Sequence, residues 1–422
     1  MDYFEYHEGK LFCEDVPVRA IAKKVGTPFY LYSYATFARH FNVFDGAFSE
    51  MPHVVCYSLK ANPNGALLRI IAQSGGGADI VSGGELFRAL NAGIPADKIV
   101  YSGVGKSVEE LRYAIDSGIR MINIESEGEF KALKKLSRKM RRRVPVSIRV
   151  NPEIDPKTHP YITTGLKKNK FGILWDDAAR IYRDIAAEEY LAPVGISSHI
   201  GSQILELGPF IEAVTSLKKM ILELRGLGMP IEMLDIGGGL GITYKDELPP
   251  DPKQYANVVK ENLGDIGITL ILEPGRVIVG NSGVFITKML YVKQTAGKIF
   301  YIVDGAMNDL VRPSLYNAYH DIVPVEQKKR KTKVVDIVGP ICESGDFLAK
   351  DRELVSLKEG DLVAVKSAGA YGYAMSSNYN SRRRAAEVLV KGDEFFVVRK
   401  RETVKDLVRG EKIPSFLEVE KK

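Results

Sequence analysis

Between residues 53 and 272 the sequence repeats one unit eight times: a short apolar run, a polar break, then a longer segment of helical character. Nothing else in the chain constrains the fold as strongly, because successive strand–helix units leave few architectures open. The apolar runs are His53–Ser58, Ala78–Val81, Lys98–Tyr101, Arg120–Ile124, Pro145–Val150, Val194–His199, Ile231–Ile236 and Thr269–Leu272. Three of the helices that follow open on S-x-x-E: Ser82 to Glu85, Ser107 to Glu110 and Ser126 to Glu129. In that pattern the two side chains cap each other's backbone N–H groups at a helix start. Gly93 and Gly118 stand where a left-handed residue stops a helix, and Asn62-Pro63 reads as an N-cap followed by Pro at the first helical position. A doubly wound open sheet is the rival architecture, and the strand count favours a (β/α)8 TIM barrel.

The texture changes after about residue 280. Ile286–Gln294, Lys298–Val303, Lys333–Val338, Asp361–Lys366 and Ala386–Arg399 are rich in Val, Ile and Tyr between Gly and Pro turns, with one short helical pattern near Val404–Arg409. The expected organisation is a barrel over residues 26–280 and an all-β domain, sandwich- or barrel-like, built from residues 281–422 together with residues 1–25. A chain of 422 residues has room for both.

Composition narrows the function. Three cysteines, Cys13, Cys56 and Cys342, form no disulfide framework or metal-type spacing, and no two of the six histidines lie within five residues of each other. No metal is expected. Net charge is only +6, and the basic runs at residues 138–143 and 328–331 lack interleaved aromatics, so they read as solvated faces and no nucleic acid is expected. The acidic start carries no secretory signal pattern, and no apolar run approaches a membrane span. A soluble, cytoplasmic protein without membrane partners is the expectation.

In a barrel of this type chemistry sits at the carboxyl ends of the strands. After the first comes Lys60 in Tyr57-Ser58-Leu59-Lys60-Ala61-Asn62. A desolvated lysine there is expected to have a lowered pKa and a neutral amine able to form a Schiff base, although a snorkelling strand-end lysine looks the same. After the seventh comes Asp235-Ile236-Gly237-Gly238-Gly239-Leu240-Gly241, and after the eighth Glu273-Pro274-Gly275-Arg276. Glycines let backbone N–H groups approach a phosphate, and the seventh and eighth loops are the usual phosphate site of the fold; a tight strand–helix turn is the plainer reading of each alone. His199 and Ser202 follow the sixth strand, where an imidazole can stack on a planar ring or simply be a core histidine. Arg149 ends the fifth strand and is equally consistent with a structural ion pair; Asp79, after the second, carries a weak signal. A lysine, a phosphate cradle, a histidine and a carboxylate at one mouth describe a pyridoxal phosphate site.

The sequence resembles the alanine-racemase-like, fold-type III class of pyridoxal phosphate-dependent decarboxylases, and within it the branch acting on diaminopimelate. The motifs are Tyr57–Asn62, His199–Gln203, Gly237–Gly241, Glu273–Arg276, Arg312-Pro313-Ser314-Leu315-Tyr316, Cys342-Glu343-Ser344-Gly345-Asp346 and Ala370-Tyr371-Gly372. The resemblance covers nearly the whole chain, with one mild departure: Ser58 stands where many relatives have alanine. It implies decarboxylation of meso-2,6-diaminopimelate to L-lysine and CO2, the last step of lysine synthesis. By resemblance Lys60 carries the cofactor and His199 stacks on its ring. Ser202, Gly239, Gly275, Arg276 and Tyr371 hold its phosphate end or ring with Glu273, and Arg149 adds to the same mouth. Arg276, Arg312, Tyr316, Glu343 and Tyr371 bind substrate, and Cys342 donates the proton. In the family the Cys-Glu loop crosses a homodimer interface to complete the partner's site. Arginines suit the far carboxylate of diaminopimelate, whereas ornithine would leave them unpaired; an ornithine, lysine or arginine decarboxylase and a non-catalytic regulator stand as alternatives. An amino-acid racemase fits less well, because racemases of this fold carry an arginine where this chain has Glu273.

Overall fold

In a computed structural model, which describes residues 2–152, 154 and 170–417, eight parallel strands close into a barrel in the expected order. They are His53–Ser58, Gly77–Ile80, Ile99–Tyr101, Met121–Ile124, Val144–Arg149, Leu191–Ser197, Met233–Asp235 and Thr269–Leu272, the last pairing with the first. Cys56, Val100, Met121 and Ile271 pack together in a small buried cluster of their own. The larger core lies between strands and helices, which is why the strands read as nearly continuous apolar runs.

The caps show how local chemistry sets each helix start. Ser107 and Glu110 form the full reciprocal box. At Ser82 and Ser126 only half of it forms: each serine accepts the expected N–H, but Glu85 takes the N–H of Val81 and Glu129 that of Glu125, one residue further back. The expectation at Asn62-Pro63 is corrected. The helix there is Gly65–Gln73 and its cap is Asn64, whose side chain accepts from Ala66 N–H at 2.9 Å. A 3-10 turn over Leu59–Ala61 intervenes. It leaves Asn62 to bridge the Asn64 N–H at 3.1 Å and the Gly369 carbonyl at 3.1 Å.

The second sheet runs Phe347–Val355, Thr332–Val338, Ile299–Val303, Gly283–Gln294, Phe29–Ser33, Ala386–Lys391 and Glu394–Arg399, with Leu362–Val365 and Ile322–Pro324 branching from Gly283–Gln294. Phe29–Ser33 lies inside the span expected for the barrel, yet it is wholly buried between Gly283–Gln294 and Ala386–Lys391. The single strand expected over Ala386–Arg399 is a hairpin turned at Gly392, whose φ is 60°. The first residues make their own three-stranded antiparallel sheet, Phe4–His7, Lys10–Cys13 and Val16–Pro17. Its Phe4, Leu11 and Val16 bury against Leu31, Val284 and Val388 of the second sheet. No helix among the described residues is long and apolar enough to cross a membrane.

Candidate active site

The first barrel strand delivers Lys60 on the 3-10 turn at its end, and strand register sets Ser58 opposite Asp79. Lys60 Nζ donates to Asp79 Oδ2 at 2.9 Å, and Ser58 Oγ donates to the same oxygen. The serine that departs from the family pattern therefore shares the lysine's counter-ion. Asp79 is fully buried, and its Oδ1 has no hydrogen-bond partner among the described residues. The expected lowering of the Lys60 pKa is reversed. Burial does press the ammonium down, but Asp79, Glu273 and Tyr371 together outweigh it and hold Lys60 above its ordinary value.

The glycines of the seventh loop are required by close approach. A Cβ on Gly238 would lie 2.3 Å from the Glu273 carbonyl oxygen, and one on Gly239, where φ is +116°, 2.8 Å from that of Gly201. Asp235 Oδ1 accepts the Gly237 N–H at 2.9 Å and His199 Nδ1 accepts that of Gly238 at 3.2 Å. With Nδ1 accepting, the imidazole is neutral, and burial, aided by Arg149 and Lys60, holds its pKa well below the usual histidine value. Gly238→Ala must push backbone against backbone. It is expected to cost about 1–3 kcal/mol, read by denaturant unfolding, and to weaken pyridoxal phosphate binding in a fluorescence titration.

Beneath the loop, Glu273 accepts from Ser102 Oγ at 3.0 Å and Asp235 accepts from Asn123 Nδ2 at 2.9 Å. The two acids are hydrogen-bonded to each other. Burial raises both, Asp235 to about 6 and Glu273 further, because Asp235 and Asp79 repel its charge. Each carboxyl thus holds a proton more readily beside the other than it would alone.

Above them opens a cavity of about 400 Å³, lined by Lys60, His199, Ser202, Arg276, Arg312, Tyr316 and Tyr371 among others. A second, narrower pocket joins Lys60 and His199 to Ser202, Gly239, Glu273, Gly275, Arg276 and Tyr371. Arg276 donates to Tyr244 OH at 2.5 Å and to Ser202 Oγ at 3.1 Å, stacks over Tyr371 at 5.0 Å, and leaves its Nε without a partner among the described residues. Tyr371 has left-handed backbone, φ 57°, and is tied to the Ala61 carbonyl at 2.8 Å. Arg149 does not line either space: it pairs with Glu125 at 2.9 Å and reaches the His199 carbonyl at 3.4 Å. Cys342 and Glu343 do not line them either. Both are exposed, Cys342 N–H donating to Asn380 at 2.8 Å and Glu343 accepting from Tyr379 OH at 3.2 Å. Tyr244 and His320 escaped the sequence reading, as neither stands at the end of a barrel strand.

A family model described as the pyridoxal binding domain of pyridoxal-dependent decarboxylases matches residues 34–280. A diaminopimelate decarboxylase of Vibrio cholerae is 49% identical over 409 residues, 96% of this chain and 98% of that protein. The chain belongs to the diaminopimelate decarboxylase family. Another relative of that name, from Aquifex aeolicus, is 50% identical over 95% of both chains. The solved diaminopimelate decarboxylase of M. jannaschii in co-complex with L-lysine is 37% identical, with a TM-score of 0.94 over 99% of each. Pyridoxal-dependent decarboxylases use pyridoxal 5'-phosphate, and the donors of this family member fit that group. Glycines that admit no Cβ, the Ser202 hydroxyl and a buried guanidinium whose Nε has no partner among the described residues suit a phosphate, a lysine suits an aldehyde, and the buried Glu273 carboxyl in the same pocket suits a ring nitrogen.

Proposed function

We propose that the chain converts meso-2,6-diaminopimelate to L-lysine and CO2 with pyridoxal 5'-phosphate as cofactor. One observation carries the substrate choice: Arg276 and Arg312, both buried, face the cavity that contains Lys60, and neither has a carboxylate partner among the described residues. With Arg276 shared between the cofactor's phosphate end and the substrate, Arg312 is the buried guanidinium whose counter-ion the substrate has to bring, which selects a carboxylate. A substrate with a lone distal amine would leave it unpaired, at a cost of roughly 1–3 kcal/mol or more.

Lys60 would hold the cofactor through Nζ, His199 would pack against its ring, and Ser202, Gly239, Gly275, Arg276 and Tyr371 would hold its phosphate end. Arg149 supports this arrangement through the His199 carbonyl. When bound, the cofactor supplies an electron sink for the pair of electrons that CO2 leaves behind. Glu273, in the narrower pocket, would set its carboxylate beside the cofactor's ring nitrogen and keep that nitrogen protonated, with Asp235 as its neighbour. Arg312, with Tyr316, orients the far carboxylate, and Glu343 accepts the far ammonium. Cys342 holds at Sγ the proton delivered to the reacting carbon.

Cys342 and Glu343 would serve the cavity of a second copy, so the working unit is a homodimer with shared sites; their exposure outside their own chain's cavity supports this. Three free thiols suit a cytoplasmic location. The test gives holoenzyme meso-diaminopimelate, ornithine, lysine and arginine in parallel and records CO2 and product. Lysine and CO2 are expected from diaminopimelate alone. Release of CO2 from ornithine or arginine at a comparable rate would overturn the substrate reading while leaving the cofactor reading intact.

A further inference from the structure

Arg312 is buried, yet its hydrogen-bond partner is not an acid. Its Nη1 lies 2.9 Å from Nε2 of His320, and the opposite ring nitrogen, Nδ1, lies 2.9 Å from the Lys366 carbonyl. A guanidinium only donates and a carbonyl only accepts, so the geometry fixes the tautomer: Nδ1 carries the proton and Nε2 offers a lone pair. His320 is fully buried and its own carbonyl accepts from Arg352 at 2.9 Å, so ring and backbone are both anchored. Burial, reinforced by Arg312, drives its pKa down to about 3, in agreement with the neutral ring.

The same chain contains the contrasting case. Arg149, also buried, is neutralised by buried Glu125 and does not line the cavity. Arg312 lines the cavity and is braced by a neutral imidazole and by the Tyr244 ring at 4.7 Å, the two rings themselves meeting edge to face at 5.3 Å. Arg276 donates to the hydroxyl of the same Tyr244, so one neutral side chain steadies both cations without cancelling either. A carboxylate in place of the imidazole would orient Arg312 equally well, but it would compete with any incoming carboxylate.

We propose that His320 is a specificity-determining positioning residue: a neutral acceptor that aims Arg312 into the cavity and leaves its positive charge for the carboxylate at the substrate's far end. This rests on the proposed function of the site and adds to it the reason why a carboxylate-bearing far end is preferred.

The experiment compares His320→Gln with His320→Glu, two side chains of nearly one shape that differ in charge. Each holoenzyme is titrated calorimetrically with L-lysine, which has a carboxylate, and with 1,5-diaminopentane, which lacks one. Wild type and His320→Gln are expected to prefer L-lysine by on the order of tenfold or more. In His320→Glu that preference should shrink to about threefold or less, chiefly through weaker L-lysine binding. A role in packing alone would shift both ligands together, or both variants together, and either pattern overturns the proposal. If His320→Glu does not fold, His320→Ala takes its place, and an Ala variant that keeps the wild-type preference overturns the proposal as well. Wild-type turnover of diaminopimelate is recorded alongside. Its absence would reject the proposed function, while the two-ligand comparison still reads whether His320 governs Arg312.

Discussion

Lys60→Ala is expected to lower decarboxylation at least about a thousandfold, because no other group at the mouth can replace a covalent anchor. The visible absorbance of bound pyridoxal phosphate should disappear with it; an unchanged band would remove Lys60 from that role. Stability should move too. Asp79 is fully buried and would lose its cationic partner, keeping only Ser58. Breaking a buried pair costs several kcal/mol, but the Lys60 side chain is 34% exposed, so solvent screening brings the expected loss to ~1–3 kcal/mol. Adding Asp79→Asn removes the stranded charge and should restore part of that loss in urea unfolding, without restoring turnover.

The same pair sets a pH dependence. The Lys60 pKa is raised in the folded protein, so its pairing with Asp79 is fully present at neutral pH and is lost only as pH climbs through that raised value. At neutral pH the group is therefore an ammonium, and it must give up its Nζ proton before it can bond an aldehyde carbon. Cofactor uptake by apoprotein, followed by absorbance, is expected to accelerate as pH rises from 7 to 9, by up to about tenfold per unit. A rate that is flat or falls over this range would mean that Lys60 is already neutral.

The sign of that shift marks where sequence reading stopped. Partial burial of Lys60 was legible, because apolar neighbours flank it at a strand end. The counter-charges were not: Asp79 lies 19 residues away and meets Lys60 only through the register of two parallel strands. The barrel itself was legible, since its strands are mostly apolar and several of its helices open on a local side-chain cap. Those signals involve residues three or four apart. Phe29–Ser33 carries the same apolar texture as a barrel strand, and only its pairing with strands more than 250 residues later assigns it to the second sheet. The glycine loop and Glu273–Arg276 could be read because the fold dictates what the seventh and eighth loops do. Tyr244 and His320 could not, because their meaning lies in contacts with Arg276 and Arg312 across elements.

Cys342→Ala is expected to reduce turnover by two or more orders of magnitude, a general acid being worth roughly that much, while leaving cofactor affinity within about twofold, since Lys60, Ser202, the glycine loop and Arg276 that would hold the cofactor are untouched. The more decisive result comes from mixing it with Lys60→Ala. Each variant alone is nearly inactive. If a site takes Lys60 from one copy and Cys342 from the other, a mixed dimer contains one doubly defective site and one site with both residues intact. Random reassociation makes half of the dimers mixed, so the mixture should recover about a quarter of wild-type activity. Sites confined to single chains would give no recovery, because neither chain has both residues. Recovery therefore separates a shared site from a self-contained one even if the size of the Cys342→Ala defect differs from expectation. Exposure of Cys342 and Glu343 on a loop held by Asn380 and Tyr379, away from their own chain's cavity, is the physical reason to expect recovery.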